Sequence, residues 1–182
     1  MNKVIVYWYG PNRPSSKECL VRSAAMFAGE SVQGAQDRWQ IRRQEKGKPY
    51  FPSAPHVHCS VTHSGEYWLG GFAGQPLGLD LQIHKEVRRQ ALSRRFFHRL
   101  EDEYLQSVEY RDFYRVWTAK ESFVKLSGEG IDGHFSRFSV ADAHGLLTYA
   151  KGKKLFFVPF REGYTLCVCA KEIASVTLFP GK

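Results

Sequence analysis

One segment constrains the fold more than any other, because a strand pattern leads there directly into a long helical region. In residues 77–83 every second side chain is apolar, which is the period of a β-strand. In residues 85–126 the apolar side chains recur at helical spacing. A chain that joins strands and helices in this order is predicted to fold as an α+β protein.

Strand patterns also lie on both sides of this segment. Residues 4–9 are apolar and aromatic, and Ser15 or Ser16 can cap a helix after them. Residues 58–72 predict two strands joined by a tight turn. The helical region is expected to form two helices with a break within residues 102–110. Further strands are predicted at residues 138–140, 146–149, 155–160 and 164–170.

The two parts of the chain resemble each other, since each offers a helix and then antiparallel strands. We therefore predict a pseudo-two-fold duplication of an antiparallel-sheet-plus-helix half. Residues 1–75 would form the N-terminal half and residues 76–182 the C-terminal half of one integrated unit. A functional site is expected in the cleft between the halves, and because such a pseudo-dimer already builds a cleft, a monomer is expected.

The charge balance limits the possible partners. The 182 residues contain 26 Lys and Arg against 18 Asp and Glu, a formal net charge of +8. Such an excess favours an anionic partner: nucleic acid, a phosphorylated cofactor, a membrane surface or an acidic protein. No apolar stretch approaches the ~20 residues of a membrane span, so a cytoplasmic protein is expected. Cys167 and Cys169 lie two apart on a predicted strand, where core packing is favoured over metal binding.

Two short motifs carry groups that suit phosphate chemistry. In G-L-D-L-Q at residues 78–82, Asp80 and Gln82 share one face of the strand, about 7 Å apart. In W-T-A-K-E-S-F-V-K at residues 117–125, Glu121 and Lys125 lie one helical turn apart. Taken singly, Asp80 could be a solvated strand residue, and Glu121 with Lys125 could be an ordinary pair on a helix surface. Together, two carboxylates without neighbouring Cys or His suit a hard cation such as Mg²⁺, which keeps coordination sites for phosphate oxygens.

The motifs resemble those of the 4′-phosphopantetheinyl transferases of the surfactin-synthetase-activating type. That family carries a G-(I/V)-D-(I/L)-E strand and a W-x-x-K-E-(S/A)-x-x-K helix, usually after G-K-P and S-H-S-G. Here G-K-P stands at residues 47–49, T-H-S-G at 62–65, and the strand and helix motifs follow in the same order. Four ordered motifs are more specific than any one of them.

The resemblance implies transfer of the phosphopantetheine arm of coenzyme A to a serine of a carrier protein. By the same resemblance, Asp80, Glu121 and Gln82 would bind Mg²⁺ or Mn²⁺. Glu121 would also deprotonate the serine, directly or through water, and Lys125 would neutralise phosphate charge. The residues expected to hold the coenzyme A phosphates are Lys48, Thr62, His63 and Arg22.

The sequence departs from the family at Gln82, where Glu is common, and this removes one negative charge from the cation site. One alternative is therefore a weakly active homologue that binds coenzyme A or a carrier. A basic nucleic-acid-binding module is a further alternative, although no recognition motif supports it. The expected partners remain coenzyme A and an acidic acyl or peptidyl carrier protein, with neither nucleic acid nor membrane.

The segment of residues 85–99 is a candidate docking surface for that acidic carrier. It holds six basic residues against the single acid Glu86, although a solvated helix face would look the same. The basic residues are Lys85, Arg88, Arg89, Arg94, Arg95 and Arg99. A G-x-G-x-x-G pattern at residues 128–133 follows a helix, so it is interpreted as a helix stop and not as a dinucleotide fingerprint.

Overall fold

The computed structural model describes residues 2–128 and 135–182, which form two four-stranded sheets and five α-helices. The helices are α1 (Ser16–Phe27), α2 (Ala35–Arg38), α3 (Arg89–Phe96), α4 (Arg99–Ser107) and α5 (Phe113–Ser127). The long strands are β1 (Lys3–Tyr9), β4 (His58–Ser64), β5 (Tyr67–Ala73), β6 (Leu77–Ile83), β10 (Lys153–Val158), β11 (Tyr164–Ala170) and β12 (Ser175–Pro180). The two-residue strands are β2 (Arg42–Arg43), β3 (Pro49–Tyr50), β7 (Ala141–Asp142), β8 (Gly145–Leu146) and β9 (Tyr149–Ala150). The predicted α+β class is confirmed.

One long helix packs on each four-stranded sheet. The first sheet has the order β12-β1-β5-β4, and α1 packs on it through a buried apolar cluster. The second sheet has the order β6-β11-β10-β9 and is antiparallel throughout, with α5 packed on β6 and β11. The division into halves and their pseudo-two-fold relation stay predictions.

Strand β12 is an element that the sequence analysis did not predict. It returns from the C-terminal part of the chain and pairs in parallel with β1, from Lys3 opposite Ser175 to Trp8 opposite Pro180. The first sheet therefore contains a strand from each end of the chain. Residues after 170 thus stabilise the N-terminal sheet.

The predicted two helices in residues 85–126 are in fact three. The unpredicted break lies between α3 and α4, where the His98 side chain accepts from the Leu100 N–H and the Glu101 carboxylate accepts from the His98 N–H. This reciprocal cap starts a new helix at Arg99. The second break follows Ser107, at the end of the predicted interval. Helix α5 ends at Gly128 with a φ of 71°, which confirms the predicted stop there; the rest of the glycine pattern lies outside the described residues.

The strand predicted at residues 138–140 is absent, since those residues follow a 3₁₀ turn at Phe135–Arg137 and belong to no strand. Two of their backbone groups bond to buried side chains, whereas the Val140 carbonyl accepts from the Leu147 N–H at 2.8 Å. The Phe138 carbonyl accepts from Lys120, and the Val140 N–H donates to Glu101. A buried ion pair thus takes the hydrogen bonds that a neighbouring strand would have used.

The two sheets meet where β4 runs beside β6, and side-chain hydroxyls join them there. Alternate residues of β4 accept hydrogen bonds from alternate N–H groups of β6: Leu79 to Ser60 at 3.0 Å, Leu81 to Thr62 at 3.2 Å and Ile83 to Ser64 at 2.9 Å. These bonds fix the register between β4 and β6. They place Thr62 beside Asp80.

The C-x-C pair on β11 is part of the core, as predicted. Cys167 and Cys169 are fully buried free thiols, and burial raises the pKa of the Cys167 thiol to about 12. A thiol with so high a pKa is a poor nucleophile and metal ligand near neutral pH. Among the described helices, none combines the length and the apolar character that crossing a bilayer requires.

Candidate functional site

Helix α5 can lie directly on β6 because residue 78 has no side chain. A Cβ at Gly78 would stand 1.8 Å from the Ser122 carbonyl oxygen and 2.6 Å from the Leu126 nitrogen. Only glycine permits this approach of helix and strand. The G in the G-L-D-L-Q motif therefore serves packing, and it brings Glu121 and Lys125 of α5 over the strand that carries Asp80.

Lys48 fastens the end of α5 to the same strand. Its ammonium group donates to the carbonyls of Leu77, Lys125 and Leu126 at 2.9, 2.9 and 3.0 Å. These bonds satisfy two carbonyls that the last turn of α5 leaves without a helical partner. Burial lowers the pKa of Lys48. The structure thus gives Lys48 a capping role that the sequence analysis did not foresee, with its three N–H donors on backbone; a phosphate contact stays a prediction.

Asp80 is the centre of the site. Only 2% of the residue is exposed, and each carboxylate oxygen has partners from this chain. Lys125 Nζ lies 2.6 Å from Oδ1, Thr62 Oγ1 lies 3.2 Å from Oδ1, and Gln82 Nε2 donates to Oδ2 at 2.9 Å. The shared strand face of Asp80 and Gln82 is as predicted. Thr62 lies on β4 of the first sheet, whereas Asp80 lies on β6 of the second, so the cluster draws on both sheets. A site in a cleft between two halves stays a prediction.

Glu121 adds a second buried carboxylate next to this cluster. It is 6% exposed, and burial raises its pKa to about 7, with a smaller contribution from the negative charge of Asp80. The positive charge of Lys125 acts in the opposite direction. A carboxylate with a pKa near neutral can take and release a proton under physiological conditions, as a general base requires.

Glu121 lines two cavities. The first has a volume of about 200 Å³, and its lining includes the basic side chains of Arg43, Lys48 and Lys125. The second has a volume of about 360 Å³ and is mostly apolar. Its lining includes Gln82, Val87, Leu92, Phe113, Tyr114 and Trp117. A reacting group that enters from either side would reach the same carboxylate.

His63 and Arg22 lie away from this cluster. His63 is exposed and follows Thr62 on β4, so its side chain leaves the opposite face of the sheet. Arg22 is on α1, where it pairs with Glu18 and donates to the Lys182 carbonyl at 3.1 Å. The structure therefore brings together Asp80, Gln82, Thr62, Glu121 and Lys125. The phosphate-binding roles assigned to His63 and Arg22 stay predictions.

The donor set was tested against the predicted cation. Within residues 2–128 and 135–182, no group of three or more His, Cys, Asp or Glu side chains could hold a metal. Asp80 and Glu121 are nevertheless two buried neighbouring carboxylates, and Gln82 can add an amide oxygen. Oxygen donors of this kind fit Mg²⁺, which is commonly held by one or two carboxylates together with waters and phosphate oxygens.

A buried ion pair behind the site was missed by the sequence analysis. Lys120, the residue before Glu121, is fully buried and donates to Glu101 Oε1 at 2.8 Å and to the Phe138 carbonyl at 2.7 Å. Its ammonium also lies 4.1 Å from the centre of the Phe138 ring. Burial lowers the pKa of Lys120 to about 8 in spite of Glu101. The pair joins α5 to α4 and to residue 138.

The chain is similar to known proteins over the segment that contains the strand and helix motifs. The family model described as the 4′-phosphopantetheinyl transferase superfamily matches residues 76–169, which contain Asp80, Gln82, Glu121 and Lys125. The chain is 31% identical over 165 residues to the 4′-phosphopantetheinyl transferase Sfp of Bacillus subtilis (strain 168), covering 84% of this chain and 71% of that protein. It is 33% identical over 139 residues to a second 4′-phosphopantetheinyl transferase of Bacillus subtilis, covering 70% of this chain and 61% of that protein. The 4′-phosphopantetheinyl transferase gsp of Aneurinibacillus migulanus is 28% identical over 148 residues, 75% of this chain and 60% of that protein.

Proposed function

The chain belongs to the 4′-phosphopantetheinyl transferase superfamily, and on that premise we propose that it transfers the phosphopantetheine arm of coenzyme A to a serine of an apo carrier protein. One observation carries the proposal to this chain: Asp80 of β6 meets Glu121 and Lys125 of α5 beside a cavity lined by basic residues. The chain spans 60 to 71% of the length of the relatives named above.

In the proposed reaction, the serine oxygen attacks the phosphorus that carries the pantetheine arm. A new P–O bond forms to serine, and the P–O bond to the bridging oxygen of the pyrophosphate breaks. The bridging oxygen keeps the electron pair and leaves with adenosine 3′,5′-bisphosphate. Glu121 takes the serine proton, directly or through water, because its carboxyl group lines both cavities and a positioned carboxylate can act as a general base.

Positively charged side chains near Glu121 would neutralise the charge of the coenzyme A phosphates. Lys125, which contacts Asp80, lines the first cavity. Arg43 is a second cation in the same lining. Phosphoryl transfer depends on positioning and on neutralising charge at the transferred and leaving oxygens. Asp80, Glu121 and Gln82 would hold Mg²⁺ or Mn²⁺, which when bound supplies further neutralisation of the pyrophosphate.

The experiment that tests this function is a mass measurement. The protein is incubated with coenzyme A, Mg²⁺ and an apo acyl or peptidyl carrier, and the carrier should gain the mass of one phosphopantetheine arm. A carrier whose acceptor serine is replaced by alanine is the control. Coenzyme A binding without modification of a panel of carriers would favour a weakly active homologue. Failure to bind coenzyme A or any carrier would reopen the nucleic-acid alternative.

The carrier is proposed to dock on the segment of residues 85–99, near the mouth of the second cavity. Arg88, Arg94, Arg95 and Arg99 are exposed there, and Val87 and Phe96 expose 38% and 37% of their surfaces beside them. Val87 also lines the second cavity, which leads to Glu121. Exposed apolar residues within a basic surface suit an acidic partner that must bring a serine to that carboxylate.

Reversing charge at this surface is expected to weaken carrier binding. In an Arg88→Glu/Arg95→Glu variant, the KM for an acidic carrier should rise about tenfold at low salt, and its dependence on salt should flatten, because electrostatic steering is lost. Arg89 is left unchanged, since it donates to the Tyr110 carbonyl and stacks on Tyr114. The measurement is carrier KM and kcat as a function of ionic strength.

The matched control is Lys3→Glu/Lys171→Glu, which changes the net charge equally at exposed lysines outside residues 85–99. Its carrier KM should change less than twofold. Equal effects of the two double variants would assign the result to net charge and remove the docking surface.

A Gln82→Glu substitution is expected to tighten Mg²⁺ binding in the presence of coenzyme A by about tenfold, since one more carboxylate joins the cluster. It also replaces the amide that donates to Asp80 by a like charge. Calorimetric titration measures the affinity. Gln106→Glu is the matched control, because Gln106 also donates its Nε2 to a carboxylate, that of Asp102, at 2.8 Å. Looser Mg²⁺ binding by Gln82→Glu would contradict the placement of residue 82 in the cation site.

A further inference from the structure

We propose that Lys125 is a gate for the cation: in the ligand-free protein its ammonium occupies Asp80, and it moves to the phosphates when coenzyme A enters, so that Mg²⁺ binds together with coenzyme A and not before it. This inference rests on the proposed function and concerns the order in which the site is filled. Its test reads metal binding directly, so it does not depend on carrier modification.

The contacts of Asp80 carry the first step. Lys125 Nζ lies 2.6 Å from Oδ1, and Gln82 Nε2 lies 2.9 Å from Oδ2. The Thr62 hydroxyl also faces Oδ1, at 3.2 Å. Both oxygens are therefore engaged by donors of this chain. A divalent cation that binds Asp80 must displace the Lys125 ammonium, which would otherwise repel it at close range.

Burial explains why Lys125 takes this position. Asp80 is almost completely buried, and a buried carboxylate without a counter-charge is costly. Glu121 places a second buried carboxyl group beside it. In the absence of a metal ion, Lys125 is the cation that the described residues place on Asp80.

The position of Lys125 explains how the gate opens. Its side chain is 31% exposed, whereas that of Asp80 is 3% exposed, so the lysine is the partner that can move. The side chain lines the basic cavity, so an anion bound there could form an ion pair with the Lys125 ammonium in place of Asp80. Phosphate oxygens that enter this cavity would therefore compete with Asp80 for the ammonium and free the carboxylate for the cation.

Such coupling is reciprocal: coenzyme A should raise the affinity for Mg²⁺, and Mg²⁺ should raise the affinity for coenzyme A by the same factor. The test is calorimetric titration of chelator-treated protein with MgCl₂ in the absence of coenzyme A. Wild-type protein should bind Mg²⁺ weakly. Lys125→Met should bind it roughly 5- to 150-fold more tightly, the usual range of coupling between sites.

Two further variants make the result decisive. Lys125→Gln keeps a hydrogen-bond donor for Asp80 without the charge, so it should show an intermediate gain and serves if the methionine variant fails to fold. Lys171→Met removes an exposed cation that lines neither cavity, and its Mg²⁺ affinity should change less than twofold.

Tight Mg²⁺ binding by wild-type protein alone would overturn the gate, as would an unchanged affinity in both Lys125 variants. Equal gains in the Lys125 and Lys171 variants would also overturn it, because they would show a general effect of charge. If Lys125→Met gains Mg²⁺ affinity but wild-type protein modifies no carrier, the proposed function fails while the competition at Asp80 stands.

Discussion

Replacing Glu121 by glutamine is expected to lower the kcat of carrier modification by about 10²- to 10⁴-fold, the range that a positioned general base contributes. The amide has nearly the same shape but cannot take the serine proton, and it offers the cation a neutral oxygen in place of a charged one. The measurement is initial rate at saturating coenzyme A and Mg²⁺. Glu172→Gln, at an exposed glutamate that lines neither cavity, should keep the wild-type rate.

The fold of the Glu121→Gln variant can be checked independently. Burial raises the pKa of Glu121 from 4.5 to about 7, so between these values the folded protein keeps a proton that the unfolded chain releases. The contribution of this residue to stability therefore falls as pH rises through that window, by up to about 3 kcal/mol in metal-free protein.

Because the amide does not ionise, the variant should lose this pH dependence and be at least as stable as wild type at pH 8. Urea unfolding at pH 5 and pH 8 with a chelator measures the effect. Near-normal turnover with unchanged metal dependence would contradict the role of Glu121 as base and ligand. A variant that is unfolded at pH 8 would contradict the stated cost of ionising the buried carboxylate.

The residues of the cluster could be predicted from the sequence because their relative positions depend on local spacing. Period 2 in β6 places Asp80 and Gln82 on one face, and the helical turn in α5 places Glu121 near Lys125. These relations need no knowledge of distant contacts. The sequence analysis therefore named the two carboxylates and the lysine that the structure brings together, and their roles stay predictions.

The parts that were missed depend on contacts between distant residues. Lys48 caps α5 only because the chain brings residue 48 next to residues 125 and 126. Strand β12 pairs with β1 across almost the whole chain, and such pairing leaves no local pattern. The break before α4 was missed for another reason: its cap is a histidine, outside the usual set of capping residues.

Removing the charge of Lys120 is expected to have the largest effect on stability. In Lys120→Met, Glu101 keeps its hydrogen bonds from His98 and Val140 but loses the cation that balances its buried charge. Breaking a buried ion pair from one side costs about 3–5 kcal/mol, a large part of the 5–15 kcal/mol that stabilises a typical domain. Urea unfolding at pH 7 measures the loss.

We expect the unpaired charge of Glu101, and not the loss of the lysine hydrogen bonds, to cause this effect. Two variants separate these explanations. Lys154→Met is the matched control, because Lys154 also donates to a carbonyl, that of Ile173 at 2.9 Å, but has no ion pair among the described contacts; it should cost about 1 kcal/mol. Adding Glu101→Gln to Lys120→Met removes the unpaired charge, so the double variant should be more stable than the sum of the two single losses predicts. Strictly additive losses, or a Lys120→Met loss no larger than that of Lys154→Met, would mean that the pair contributes no more than two independent hydrogen bonds. A coupled loss would identify the pair as the contact that holds α5 in the orientation in which Glu121 and Lys125 face Asp80.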